Sequence, residues 1–276
     1  MIFNSRTADD TILLLRIAGL LLAIFIAVDA ARAAKPIDTD GPDFVESSEV
    51  VGKGRFQFEA DFVAERDRRN SMQLTTLSTP TLLRFGVTDT VELRVETEGR
   101  IRVTNDNAAS GAGSTVTGTG DTALGVKWHA QDRDKLTNTP AVAWILNFKV
   151  PTGSKEFKGS DITPSLRSVI TWELPHDLAL GFMPGVKYGA APDGHHFASG
   201  IVGLVLNKQW TETFRTFVEN STSQIARSQN GGVMMSWDVG AAYLVANDWQ
   251  IGFRAGVAAN KNTPNNFVLF ELAGRF

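Results

Sequence analysis

The stretch Asn266–Phe276, NFVLFELAGRF, decides the fold. Val268, Phe270 and Leu272 alternate along it, Gly274 is neutral, and Phe276 follows as a closing aromatic. Glu271 and Arg275 occupy the opposite set, together with Phe267 and Leu269. A two-residue period of this kind predicts a strand with one apolar face and one more polar face. A single strand cannot cover its own apolar face, so the fold depends on whether the same grammar recurs.

It recurs along most of the chain. Alternating segments run over Gly54–Glu65, Ser71–Phe85, Thr90–Val103, Gly118–Ala130, Pro140–Pro151 and Pro164–Leu174. The second half adds Leu178–Gly189, His196–Asn207, Thr211–Gln224, Gly232–Val245, Trp249–Asn260 and Asn266–Phe276. Each is near the ~10 residues that a tilted strand needs to cross a bilayer. The connections alternate in length. Gly86–Asp89, Pro175–Asp177, Lys208–Trp210 and Ala246–Asp248 are tight, whereas Asn105–Thr117, Thr152–Thr163, Ala190–His195, Ile225–Gly231 and Lys261–Asn265 are longer. Gln131–Thr139 is long for its side and Arg66–Asn70 is short.

The faces separate by polarity. In Thr90–Val103, Glu92, Arg94, Glu96, Glu98, Arg100 and Arg102 share one side against Val91, Leu93, Val95, Ile101 and Val103. In Gly54–Glu65, Arg55, Gln57, Glu59, Asp61 and Glu65 oppose Phe56, Phe58, Ala60, Phe62 and Ala64. Trp128, Trp172, Trp210, Trp249 and Phe276 all fall at one end of their segments, as an interfacial aromatic girdle requires. The fold expected is all-β: a transmembrane antiparallel up-and-down β-barrel of about 12 strands, apolar face to lipid and charged face to the lumen. Pro80 and Pro184 lie inside strands, so bulges are expected there.

Composition permits this fold. The chain has 276 residues, a net charge of −3 and no cysteine. Its mean hydropathy of −0.07 is too polar for a helical membrane bundle but suits alternating strands. Thiol chemistry and cysteine-based zinc sites are excluded. The balanced charge gives no reason to expect nucleic acid.

At the N-terminus, Leu13–Val28 is apolar apart from Arg16, and Ala31-Arg32-Ala33 follows. An apolar core ahead of a small-residue cleavage site predicts a signal peptide over 1–33, removed after Ala33. Residues 34–53 carry Pro36, Gly41 and Pro42 and read as an extended periplasmic lead-in, with the barrel over 54–276. This organisation places the mature protein in the bacterial outer membrane, surrounded by outer-membrane lipid. The C-terminal strand would be its contact with the barrel-assembly machinery.

Asp38–Ala60 (DTDGPDFVESSEVVGKGRFQFEA) resembles the opening of a family of proteobacterial outer-membrane transporters of the phenol meta-pathway type. Thr79–Arg94 (TPTLLRFGVTDTVELR), Gly118–Lys127 (GTGDTALGVK) and Lys149–Gly153 (KVPTG) are similar to later pieces of that family. The resemblance implies a barrel of about twelve strands that takes up small hydrophobic or aromatic molecules.

No catalytic, metal or cofactor signature stands out. Adjacent strand residues point to opposite faces, so His195 and His196 do not make a metal pair. Asn105–Gly120 is rich in Gly, Ser and Thr but lacks the Lys-Ser/Thr of a phosphate loop. It reads as a flexible outer loop that could fold into the lumen as a constriction. The functional residues expected are lumen-lining and selectivity groups: Glu92, Arg94, Glu96, Arg100, Lys127, Arg215 and Glu271. Trp128, Trp172, Trp249 and Phe276 are expected in the membrane girdle. Because inward acids and bases nearly balance, two further readings stand beside the channel. One is a structural barrel closed by internal salt bridges. The other is a lipid-modifying barrel enzyme that depends on His129.

Overall fold

The computed structural model describes residues 35–107, 110, 112–191 and 193–276. The signal-peptide reading of 1–33 lies outside the described residues. Pro36–Arg275 form one compact unit. The other unit is Met1–Lys35 with Phe276, of which Lys35 and Phe276 are described and both are exposed.

Fifteen strands build the wall. They are β1 (Phe56–Arg69), β2 (Met72–Ser78), β3 (Thr81–Gly86), β4 (Val91–Thr97), β5 (Arg100–Asn107), β6 (Gly113–Thr119), β7 (Thr122–Gln131) and β8 (Ala141–Val150). There follow β9 (Thr163–Leu174), β10 (Leu178–Ala190), β11 (His196–Gln209), β12 (Phe214–Ile225), β13 (Met234–Ala246), β14 (Trp249–Ala258) and β15 (Asn266–Arg275). β2 with β3, β4 with β5, and β6 with β7 are each one interrupted stave, so the fifteen strands make twelve staves. All pairings are antiparallel, and β15 pairs with β1, which closes the barrel and leaves no sheet edge at that seam. Tight turns use residues that tolerate left-handed backbone. Asn70 (φ 56°) joins β1 to β2, and His176 and Asp177 (φ 64° and 55°) join β9 to β10.

The interior is inverted relative to a soluble protein. Arg84, Glu92 and Lys127 have no exposed surface, whereas Phe270 and Leu124 are 56% and 53% exposed on the outside. An apolar outer surface this continuous calls for a lipid solvent. The apolar cluster inside the lumen is small: Val45, Ala143, Ile145, Val169, Met183, Val205 and Phe217.

One local feature changes the faces. Between the pairs Glu96–Leu82 and Ile101–Ser78, the β4–β5 stave spends five residues where the β2–β3 stave spends four. The extra residue lies at Glu98-Gly99. A side chain on Gly99, held at φ 65°, would meet the Thr79 carbonyl at 1.9 Å. The β6–β7 stave takes up the same extra residue at Gly120-Asp121, because Thr97–Thr122 and Ile101–Gly118 keep one register. A one-residue insertion moves every following side chain to the other face. Above this point Ile101 turns inward and is buried, while Arg100 and Arg102 lie on the outer face.

Several expectations need correcting. Pro80 interrupts its stave but adds no residue, since Ala60–Thr81 and Val63–Ser78 share one register; the bulge is on the neighbouring stave. Pro184 also keeps register with both neighbours. Its missing donor is accommodated by a gap in the β9 ladder. Asn105–Gly120 was expected as a flexible outer loop that could fold into the lumen; among its described residues β5 and β6 pair from Arg100–Thr119 to Asp106–Gly113 and raise the wall.

Candidate functional site

The lumen is where the chemistry-bearing residues converge, and its central occupant is the chain's own N-terminal segment. The sequence reads residues 34–53 as an extended lead-in and leaves its depth open; of these, 35–53 are described. The contacts of residues 36–53 place them within the barrel. The segment enters at the end carrying the tight turns, where the Ile37 amide donates to the Asn247 carbonyl at 2.7 Å. It leaves at the same end, where the Gly54 amide donates to the Gly86 carbonyl at 2.7 Å. Between these points it rises to Phe44 and Val45, whose amides donate to the two Glu219 oxygens at 2.8 and 2.7 Å.

The buried acids of the segment meet partners from the wall. Asp40 is buried between Arg94, Lys127 (2.6 Å) and Arg84 (3.6 Å). The Asp40 and Gly41 amides donate to Glu59, and the Val51 amide donates to Glu92 at 2.9 Å. Arg84 donates to Glu59, to Glu92 and to the Asp38 and Glu49 carbonyls, so one guanidinium ties two wall strands to both limbs of the segment. Asp43 pairs with Arg215 at 2.8 Å. Glu46 pairs with Arg94 at 2.8 Å and with Arg167. Charges buried this deeply are tolerated because each is paired with an opposite charge from the wall. The packing agrees. Gly181 and Gly203 leave room for Val45, and a Cβ at either would lie 3.0 or 2.5 Å from its methyls.

The residues singled out from sequence therefore fall in different places. Glu92, Arg94, Lys127 and Arg215 are brought together as the anchors of the segment. Glu96 stands above them, accepting from Asn147 at 2.8 Å and from Arg94 at 3.1 Å. Glu271 faces Asp61 across the β15–β1 seam and accepts from Gln250 at 3.0 Å, and it makes no direct ion pair among the described residues. Arg100 is on the outer face. Trp128, Trp172 and Trp249 sit at the tight-turn end of β7, β9 and β14, and Trp249 packs edge-on to Phe58 at 5.8 Å. Phe276 is 40% exposed.

Asp40, Asp43 and Glu46 were missed as partners. The available signal was five acids between Asp38 and Glu49 with no base among them, matching the bases on the inner faces. His129 is held by the Ser48 carbonyl at 2.8 Å and by Asp132 at 2.9 Å, with no serine hydroxyl against its ring nitrogens. No cluster of metal-ligating side chains exists among the described residues.

Above the segment, toward the long loops, lies a cavity of about 350 Å³. Its floor is Pro42 and Phe44, and its walls include Leu82, Leu269, Thr97 and Lys149. Further up, the inverted phase puts Val103 and Val116 on the inner face of the raised wall.

Residues 39–276 match the family described as "Putative MetA-pathway of phenol degradation". No curated protein matches the sequence. Among solved structures, the chain is similar to the COG4313 outer membrane channel from Pseudomonas putida F1. There the TM-score is 0.62 at 12% identity, covering 86% of this chain and 99% of that one. It is also similar to the translocator domain of the autotransporter NalP from Neisseria meningitidis, with a TM-score of 0.51, 13% identity and coverage of 82% and 89%. The β domain of the Bordetella autotransporter BrkA gives a TM-score of 0.50, 13% identity and coverage of 80% and 98%. These likenesses agree with a closed barrel, and the family match spans nearly all of the described chain. The protein thus belongs to the "Putative MetA-pathway of phenol degradation" family, built as a twelve-stave transmembrane β-barrel.

Proposed function

We propose that the protein is an outer-membrane channel for passive or facilitated uptake of small hydrophobic or aromatic molecules. The observation that carries this reading is a closed barrel with an apolar exterior and a polar lumen that holds a cavity of about 350 Å³ above an ion-paired internal segment. The family description, which names phenol degradation, supports the substrate class. The apolar inner rim at Val103 and Val116 supports entry from the long-loop end. Glu92, Arg94, Lys127 and Arg215 act by holding the segment, and through it set the width of the pore. Glu96 and Glu271 line the cavity and bias its ion preference. Signal-peptide cleavage, insertion through the C-terminal strand and a non-enzymatic role complete the proposal.

Single-channel recording of the refolded protein in planar bilayers tests it. Wild type is expected to give small discrete openings. Deleting residues 38–49 should widen them severalfold, because the segment fills the middle of the lumen. A folded barrel that stays silent with and without the segment would instead establish the second reading, a structural barrel closed by internal salt bridges. The dense pairing of Asp40, Glu46 and Asp43 with the wall is the observation that favours that reading. His129→Ala should leave transport intact; a lipid-modifying activity lost in this variant would overturn the non-enzymatic role.

A further inference from the structure

Above the Glu98-Gly99 insertion the β5 and β6 side chains are reversed while β1 and β2 keep their phase, and the outer surface there becomes basic. In one row across the sheet Ala64, Leu77, Arg102 and Thr117 are paired neighbours, and in the next Arg66, Thr75, Thr104 and Thr115. Paired residues project from the same face of a sheet. That face is the outer one, since Arg66 pairs with Asn266 two residues from the outward Val268, while Gln57 and Glu59 of the same strand point inward and are buried. Arg68 and Arg100 share it. The contact between the Thr104 and Thr115 hydroxyls at 3.3 Å runs along it.

Arg66, Arg68, Arg100 and Arg102 are all exposed, and none has a carboxylate within ion-pair distance among the described residues. Asp106 is the acid on this part of the face, opposite Gln73. Arg66 and Arg68 on β1 and Arg100 and Arg102 on β5 flank β2, which puts no charge between them on this face. Below the patch the same outer face is apolar, with Phe62 and Phe270 opposite each other. The arginines thus stand at the boundary between the lipid-facing belt and the long-loop end.

We propose that this face binds the phosphate groups of an anionic glycolipid in the outer leaflet, with the four guanidiniums as phosphate donors and the threonine hydroxyls as sugar or phosphate partners. Arginine suits this task because its planar fork binds phosphate in a bidentate manner. The proposal rests on the outer-membrane placement given above, and it assigns the insertion a purpose. One extra residue redirects Arg100 and Arg102 from the lumen to the lipid headgroups.

Native mass spectrometry of the protein released from detergent micelles, with diphosphoryl lipid A as the probe, tests this. Wild type is expected to retain diphosphoryl lipid A, to retain it less after one phosphate is removed, and to prefer it to phosphatidylglycerol. Replacing Arg66, Arg68, Arg100 and Arg102 together by Gln should weaken retention about tenfold while the barrel stays heat-modifiable. Equal retention by the Gln variant, or equal retention of phosphatidylglycerol, would overturn the proposal. Should the Gln variant fail to fold, the dependence of wild type on the number of lipid phosphates decides the question. Bilayer conductance of the same preparation separates the outcomes, because a silent wild type refutes the channel without affecting lipid retention.

Discussion

Arg84 shows most clearly how the lumen is held. It is fully buried, and its loss would strand Glu59 and Glu92 without their shared cation. Arg84→Ala is expected to cost about 3–5 kcal/mol, read as a lower denaturant midpoint of the refolded barrel. Arg84→Lys should recover little of it, because an ammonium cannot reproduce the fork that reaches two carboxylates and two carbonyls. A second residue-scale prediction lies in the loops. His195 sits between Asn230 Oδ1 (2.8 Å) and Asp193 Oδ1 (2.5 Å), two acceptors that a doubly protonated ring satisfies. The hydrogen bond to Asn230, then that to Asp193, raises its pKa above the ordinary 6.5. The raised value means that the tie between the two loops is complete below pH 6.5 and is lost as pH rises through the folded value. An NMR titration should find that value elevated, and Asn230→Ala should move it back toward 6.5.

Among the elements, the interrupted β4–β5 stave carries the most consequence. Glu92, Arg94 and Glu96 obey the alternation read from sequence, and Arg100 and Arg102 break it through one inserted residue. Gly99→Ala is expected to destabilise the barrel by roughly 1–3 kcal/mol, since it adds a Cβ at positive φ against the Thr79 carbonyl. Deleting Gly99 should be worse. The upper stave would slip by one position and aim Arg100 and Arg102 at the lumen, and folding yield measured by heat-modifiability should fall sharply. The two-residue period in this sequence leaves no ambiguity about element type. A single inserted residue leaves no compositional trace, so the change of phase could not be read.

For the whole molecule, the wall and the internal segment are one cooperative structure. Asp40, Asp43 and Glu46 neutralise bases from strands far apart in sequence, among them Arg94, Lys127 and Arg215. The triple change Asp40→Asn, Asp43→Asn and Glu46→Gln should lower thermal stability and raise protease access to residues 36–53. High salt should have a weaker effect than these substitutions, because buried pairs are poorly screened. Persistence of full protection in the triple variant would show that Val45 and the backbone hydrogen bonds to Glu219 suffice to hold the segment.

The sequence by itself determined the barrel. A two-residue period repeated in twelve segments has one economical solution when an apolar face must meet lipid, and the placement of Trp128, Trp172 and Trp249 gave the common end. It also supplied the charges, since the inward acids and bases were visible as rows. Only the tertiary structure decided what those charges do. Alternation fixes the face on which a residue lies but not its partner across the lumen. Pairing Asp40 with Lys127, or Glu219 with the amides of Phe44 and Val45, depends on a segment without regular structure finding its depth inside a closed wall. That depth is set by three-dimensional complementarity of charge and by the space left at Gly181 and Gly203, neither of which is a property of any local stretch.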